Sequence, residues 1–372
     1  MAETVNERIR VVVLFGGRSS EHAISCISAG SVLAALDRDR YEVVPIGITP
    51  DGRWVRVPDD PQLLMIRQGE LPSVNGSGLE VALRPADGAS VLADLAAPSD
   101  GSTIDVVFPV LHGPWGEDGT IQGLLELTDV PYVGSGVFAS AAGMDKGQMK
   151  RLFLAAGLPT GPFEVITDRE WTTDRQAALA RCWALAQPPG HPLFVKPARA
   201  GSSVGITKVR TFDELTAAIE FAREHDRKVI VEAAIEGARE IECAVLVDDG
   251  VPRASRCAEI VVKGDHEFYD FEAKYLDDAV DLIVPAVLGA DVEARVQRTA
   301  IEAFESLDCR GLARVDFFVL PDGSVLLNEI NTMPGFTSIS MFPRLWAESG
   351  IVYPQLIDTL INDALRRGTG LH

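Results

Sequence analysis

Residues 311–331 read GLARVDFFVL-PDG-SVLLNEIN, two apolar runs around Asp322-Gly323. Asp-Gly between such runs is a strong hairpin signal, and as the two loop residues of a type I′ turn it sets Asp316 opposite Glu329 and Arg314 opposite Asn331. Side chains alternate faces along a strand, so Arg314, Asp316, Glu329 and Asn331 project from one side. Val315, Phe317 and Ile330 project from the other, into a core. Two carboxylates, an amide oxygen and a guanidinium then share one patch. Hard oxygen donors suit a cation such as Mg²⁺, which keeps several waters and recruits substrate phosphates for its remaining positions. The bland alternative is a solvated face with weak cross-strand ion pairs. Against it stands the continuation NTMPGFTSIS (331–340), too apolar for an exposed edge.

A second constellation lies upstream, in KPARAGSSVG (196–205). Pro197 holds Lys196 extended at the end of its strand, and the following loop offers backbone N–H groups and two hydroxyls over a small radius, which suits phosphate. The same stretch matches G-x-S-x-G with Ser203 as a hydrolase nucleophile. That motif needs a helix directly after the serine, whereas Ile206 to Val209 is strand-like and Pro197 has already ended the preceding strand. A plain flexible turn is the remaining alternative.

The N-terminal third opens with the apolar run Ile9 to Phe15, a Gly16-Gly17 turn, and Ile24, Ile27, Val32 and Leu36 at near-helical spacing. Further apolar runs at Tyr41–Ile48, Ile104–Leu111 and Val130–Val133 alternate with helical patterns, which predicts a parallel α/β domain. The turn-rich residues 69–103 read as an insertion with short strands. Glu21, after GGRSS at a strand-to-helix junction, and His112, at the end of a parallel strand, occupy positions where such sheets hold ligands. Neither a dinucleotide fingerprint nor a P-loop is present. Asp145 is placed to cap a helix ended by Gly157 and Pro159, and Thr211-x-x-Glu214 opens another as a capping box. From about residue 240 the pattern turns to antiparallel hairpins.

Composition narrows the function classes. The 372 residues carry 34 Lys and Arg against 54 Asp and Glu, a net charge of −20, which argues against nucleic acid as a partner. No apolar stretch approaches the roughly 20 residues of a membrane span, so no membrane insertion is expected, and the reading is cytoplasmic. The 5 cysteines lack metal-site or disulfide spacing.

Taken together, GGRSSEHAIS, FPVLHGPWGEDGTIQG, PYVGSG, GMDK, FVKPARAGSSVGI, VIVE, FYDFEAKYLDD, GLARVDFF and NEINTMPGFTSIS, in this order over nearly the whole chain, resemble the D-alanine:D-alanine ligases of the ATP-grasp superfamily. The resemblance implies a three-domain α/β ATP-grasp architecture: residues 1–140 as an N-terminal parallel α/β substrate-binding domain, 141–240 as a central ATP-grasp subdomain, and 241–372 as a C-terminal subdomain with the metal site. The ATP site would lie between the last two, both α+β. The implied reaction activates the carboxylate of one D-alanine as an acyl phosphate and adds the amine of a second, for peptidoglycan precursors.

By the same resemblance Lys146, Lys196 and Ser203 would meet the ATP phosphates, and Glu232, Ala234, Ile235 and Glu240 the adenosine. Asp316, Glu329 and Asn331 would hold two Mg²⁺, with Mn²⁺ an alternative and Glu329 bridging. Arg314 and the Gly335 N–H would stabilise the tetrahedral intermediate. Glu21 would take the first ammonium with His112 beside it, while Ser340 and Met341 would meet the second carboxylate. Ser202 and Tyr275 would bond to Glu21, closing a loop that brings Lys274 to the γ-phosphate. The Lys274-Tyr275 pair is the pattern of ligases that make the dipeptide. Residues 235–240 run one residue longer than the usual spacing, so Glu242 competes with Glu240 for the ribose, and His22 has no role by resemblance. A homodimer is expected. The competing classes are a D-alanine:D-lactate or D-serine ligase, and a non-catalytic ATP-binding module, which would lose Arg314 and the metal residues.

Overall fold

The computed structural model describes residues 8–86, 89–96, 101–262 and 280–370, arranged around three sheets. The first is built from β1 (Ile9–Gly16), β2 (Tyr41–Ile48), β3 (Trp54–Arg56), β4 (Leu79–Ala86), β5 (Ala89–Asp94), β6 (Gly101–Ile104) and β7 (Val106–Val110), in the order β6-β5-β4-β3-β2-β1-β7. Helix α1 (His22–Ala35) crosses from β1 to β2. Only β1 pairs in parallel, with β2 on one side and β7 on the other. The expected parallel domain therefore holds for three strands. The turn-rich segment supplies β4 and β5, which short connections force into antiparallel hairpins that widen the sheet. Val130–Val133 contributes a single bridge, Tyr132 to Val107, in place of a strand.

After α2 (Thr120–Leu127), α3 (Val137–Met144) and α4 (Lys146–Ala155) comes a second sheet of β8 (Phe163–Ile166), β9 (Leu193–Pro197), β10 (Thr207–Val209) and β11 (Val229–Ala233), ordered β10-β9-β11-β8. Helices α5 (Asp168–Thr173), α6 (Arg175–Trp183) and α7 (Phe212–His225) accompany it, and Trp171, Leu179, Leu215 and Ile219 share a core with Val195 and Val231 of its strands. Glu214 closes the expected box, its carboxylate accepting from the Thr211 N–H. Asp145 caps α4 by accepting from the Gln148 N–H at 3.0 Å.

The third sheet, β14-β13-β12-β15-β16, is antiparallel throughout: β12 (Arg239–Asp248), β13 (Val251–Val262), β14 (Val280–Ile283), β15 (Leu312–Val319) and β16 (Val325–Asn331). Helix α8 (Ala290–Ser306) lays Val296, Ala300 and Phe304 on Val315, Phe317 and Ile330. Helices α9 (Met341–Glu348) and α10 (Tyr353–Arg367) share one core with β1 and β12, joining the first sheet to the third through Phe15, Leu246, Leu356 and Leu360. No helix among the described residues is long and apolar enough to cross a membrane.

The β15–β16 hairpin corrects one expectation and keeps its consequence. Val319 pairs with Val325, so the loop is longer than Asp322-Gly323; Gly323 takes a positive φ of 80° and donates to the Leu320 carbonyl at 2.9 Å. That turn alone would shift the ladder by one residue. A bulge at Asn328 restores it, so that Asp316 pairs with Glu329 and Arg314 with Asn331 as the sequence implies. The bulge also switches faces: Leu327 and Ile330 both point into the core, and Glu329 and Asn331 turn away from it.

Candidate active site

One cavity of about 410 Å³ receives side chains from all three sheets. Glu21 and His112 enter from the C-terminal ends of the adjacent parallel strands β1 and β7. Lys146 starts α4, Lys196 ends β9, and Ser202 and Ser203 lie on the loop between β9 and β10. Glu232, Ala234, Ile235 and Glu240 form its β11–β12 wall; Arg314, Asp316, Glu329, Asn331 and Gly335 form its floor. Ser340 stands behind Gly335, its hydroxyl accepting from the Thr337 N–H at 3.1 Å, and Met341 is buried at the start of α9. Lys274 and Tyr275 lie outside the described residues.

Charge pairing organises the floor. Arg314 donates twice to Asp316, at 2.7 Å each, and lies 3.3 Å from the buried Glu242. Burial opposes its charge, but Asp316 and Glu242 raise the guanidinium well above its ordinary range. Glu242 is thus committed to Arg314, whereas Glu240, one pleat away, faces the cavity near Lys196. That separation leaves Glu240 as the better placed of the two for a nucleotide sugar. Lys146 lies 3.4 Å from Glu329, and Asn331 donates to Asp316 at 3.1 Å. Among the described residues no three His, Cys, Asp or Glu side chains gather as a metal cage. Two carboxylates and an amide oxygen are the donor set here, and such an open, all-oxygen set fits Mg²⁺ shared with phosphate.

The amino-acid end is built around Glu21. It occupies the N-cap position of α1 without capping it, which leaves its carboxylate free to accept from the Ser202 hydroxyl. Gly113, at φ 76°, comes so near that an added Cβ would sit 2.5 Å from the Glu21 carboxylate. His112 donates Nδ1–H to the Met333 carbonyl at 3.2 Å, and its Nε2 accepts from Ser28 at 3.2 Å. Burial lowers its pKa, so it stands neutral. His22, without a role in the sequence reading, is structural: it donates to the Gly17 carbonyl and accepts from the Val74 N–H at 3.0 Å, pinning the 69–103 insertion to the glycine turn.

Two site residues were missed in the sequence. Lys150 repeats Lys146 one helical turn on, an i, i+4 signal that was available. Glu117, in HGPWGEDG, accepts from the Gly113 N–H at 2.6 Å and from the Met333 main chain. With His112 it holds both backbone groups of Met333, two residues before Gly335. Burial, then the neighbouring Glu21 charge, pushes the Glu117 carboxyl from 4.5 up to about 8.

The folded chain therefore keeps a proton on Glu117 that the unfolded chain releases. Stability from this group is complete below about pH 4.5 and falls as pH rises through about 8. Urea unfolding across that range should show Glu117→Gln losing less stability with rising pH than the parent. Parallel curves would mean that Glu117 ionises normally.

Comparison with known proteins follows the same division. Residues 10–135 match the family described as D-ala D-ala ligase N-terminus, and residues 152–362 the D-ala D-ala ligase C-terminus. The D-alanine--D-alanine ligase of Mycobacterium ulcerans is 56% identical over 375 residues, covering 98% of each chain. Among solved structures, the D-alanine-D-alanine ligase from Coxiella burnetii aligns with a TM-score of 0.81 at 37% identity, covering 97% of this chain and 95% of that one. VanG D-Ala:D-Ser ligase from Enterococcus faecalis aligns with a TM-score of 0.84 at 35% identity, covering 96% and 100%. With both halves matched and relatives alike from end to end, the chain belongs to the D-alanine–D-alanine ligase family.

Proposed function

We propose that this protein joins two molecules of D-alanine using ATP, releasing ADP and phosphate, for peptidoglycan precursor synthesis. The observation that carries the reading is the convergence in one cavity of the Arg314, Asp316, Glu329 and Asn331 face, the Lys146 and Lys196 ammonium groups, and Glu21 with His112. Each part has a task in acyl-phosphate chemistry. Lys146 and Lys196 neutralise nucleotide phosphates, with Ser203 on the loop above them. Glu232, Ala234, Ile235 and Glu240 receive the adenosine. Asp316, Glu329 and Asn331 hold Mg²⁺, which when bound would offset phosphate charge and orient the transferring group.

Glu21 accepts the first ammonium, and neutral His112 lies beside that substrate without adding a second cation. The first carboxylate attacks the γ-phosphorus and forms an acyl phosphate. The amine of the second substrate then adds to the acyl carbon, and Arg314 and the Gly335 N–H stabilise the oxyanion that develops there. Ser340 and Met341 receive the second carboxylate, and Ser202 ties the 198–206 loop over Glu21. The three sheets support dividing the chain at 140 and 240. Homodimer formation and cytoplasmic placement belong to the same proposal; the former is supported by Leu127 and Phe138, which are 83% and 56% exposed on α2 and α3.

A second reading, with D-serine as acceptor, is favoured by the likeness to VanG. Competition of D-alanine, D-serine and D-lactate as acceptors at pH 7, with every product quantified, decides between them. D-alanyl-D-alanine is expected to predominate; predominant ester or D-serine product would overturn the assignment of the acceptor.

A further inference from the structure

The second lysine of α4 sits apart from the phosphate lysines and touches no substrate group in the roles above. Lys150 is 2% exposed, and its ammonium lies 2.8 Å from one oxygen of Glu232. Lys196 holds the other oxygen at 2.7 Å. Glu232 is itself buried, in the middle of β11, with β9 and β8 paired on either side. Its carboxylate, opposed by burial, is held far below the ordinary range by Lys150 and Lys196. The two cations differ in reach. Lys196 ends its strand at the phosphate loop and keeps a side-chain exposure of 17%, whereas that of Lys150 is 3%.

We infer that Lys150 is a positioning residue, the standing counter-ion of Glu232 that leaves Lys196 free to turn toward a nucleotide phosphate. The inference rests on the proposed placement of ATP phosphates at Lys196. A buried carboxylate stripped of its only cation is strongly disfavoured. Were Lys196 the sole partner of Glu232, moving its ammonium to a phosphate would strand that charge, and binding ATP would carry the cost. With Lys150 in place, Glu232 stays neutralised whichever way Lys196 points. Removing both buried charges together should be far milder than removing one.

The test compares the parent with K150M, K150R and the double variant K150M/E232Q by steady-state kinetics with Mg²⁺-ATP and D-alanine. K150M should raise the KM for ATP by about tenfold or more, with the KM for D-alanine unchanged and kcat altered less. K150R should stay near the parent. In K150M/E232Q the KM for ATP should return most of the way. If K150M is too unstable to assay, near-parental ATP binding by the double variant still supports the inference, because a phosphate-binding Lys150 predicts a persistent defect. An unchanged KM in K150M, or a double variant no better than K150M, overturns it. Failure of the underlying ATP-site reading looks different: the parent itself would show no saturable dependence on ATP.

Discussion

Replacing Glu329 by glutamine should remove turnover by a factor on the order of 10³ or more, the scale expected when a charge-stabilising group is lost from a reaction centre. Glu329 reaches the cavity only because the Asn328 bulge turns it out of the core, beside Asp316 and 3.4 Å from Lys146. A neutral amide at a position shared by two dications leaves their charge uncompensated. It also removes the anion that holds Lys146 over the floor. Thermal stabilisation by Mg²⁺-ATP should vanish with the activity. The parent and Glu329→Gln are compared in a product assay and in melts with and without Mg²⁺-ATP; near-normal kcat in the variant at moderate Mg²⁺ would remove the bridging role.

Arg314→Met carries the second large effect, and the structure divides it in two. The guanidinium is the charged donor for the developing oxyanion, so its loss should lower kcat about a hundredfold or more, roughly 3 kcal/mol. It is also the counter-ion of Glu242, which is 4% exposed, and of Asp316. Stranding these carboxylates should destabilise the fold by about 3 to 5 kcal/mol. Adding Glu242→Gln separates the effects: the double variant should regain much of its stability in urea melts and none of its kcat. Recovery of kcat together with stability would show that Arg314 acts only as a structural cation.

The chemistry of the floor was legible in the sequence because strand alternation and hairpin pairing are local rules, and both operate within residues 311–331. The turn was misjudged by one residue. Two departures, a longer loop at Gly323 and a bulge at Asn328, cancel at the site, and neither has a residue signature that alternation can detect. The strand nature of Thr207–Val209, which argued against a nucleophile elbow at Ser203, rested on a local β-branched pattern and is observed.

What sequence could not resolve depended on distant partners. Glu232 was read as an adenosine contact; that it also binds two lysines from α4 and β9 follows from tertiary packing across 82 and 36 residues of chain, counting from Lys150 and Lys196. Glu242 and Glu240 share a strand face, and only the β12–β15 register separates them, pairing Glu242 with Asp316 and Glu240 with Phe318. Glu117 sat within a recognised motif, but its partner Met333 lies on another sheet's exit loop. His22 likewise became intelligible only once the insertion folded back over it.

The central claim, that this cavity activates a D-alanine carboxylate through the γ-phosphate of ATP, is tested most directly by the nucleotide product. Purified protein is given Mg²⁺-ATP and D-alanine, and nucleotides, phosphate and dipeptide are quantified over the same time course. One ADP and one phosphate per D-alanyl-D-alanine, with no ADP release when L-alanine replaces D-alanine, is the expected result; AMP and pyrophosphate, or ADP release without dipeptide, would contradict it.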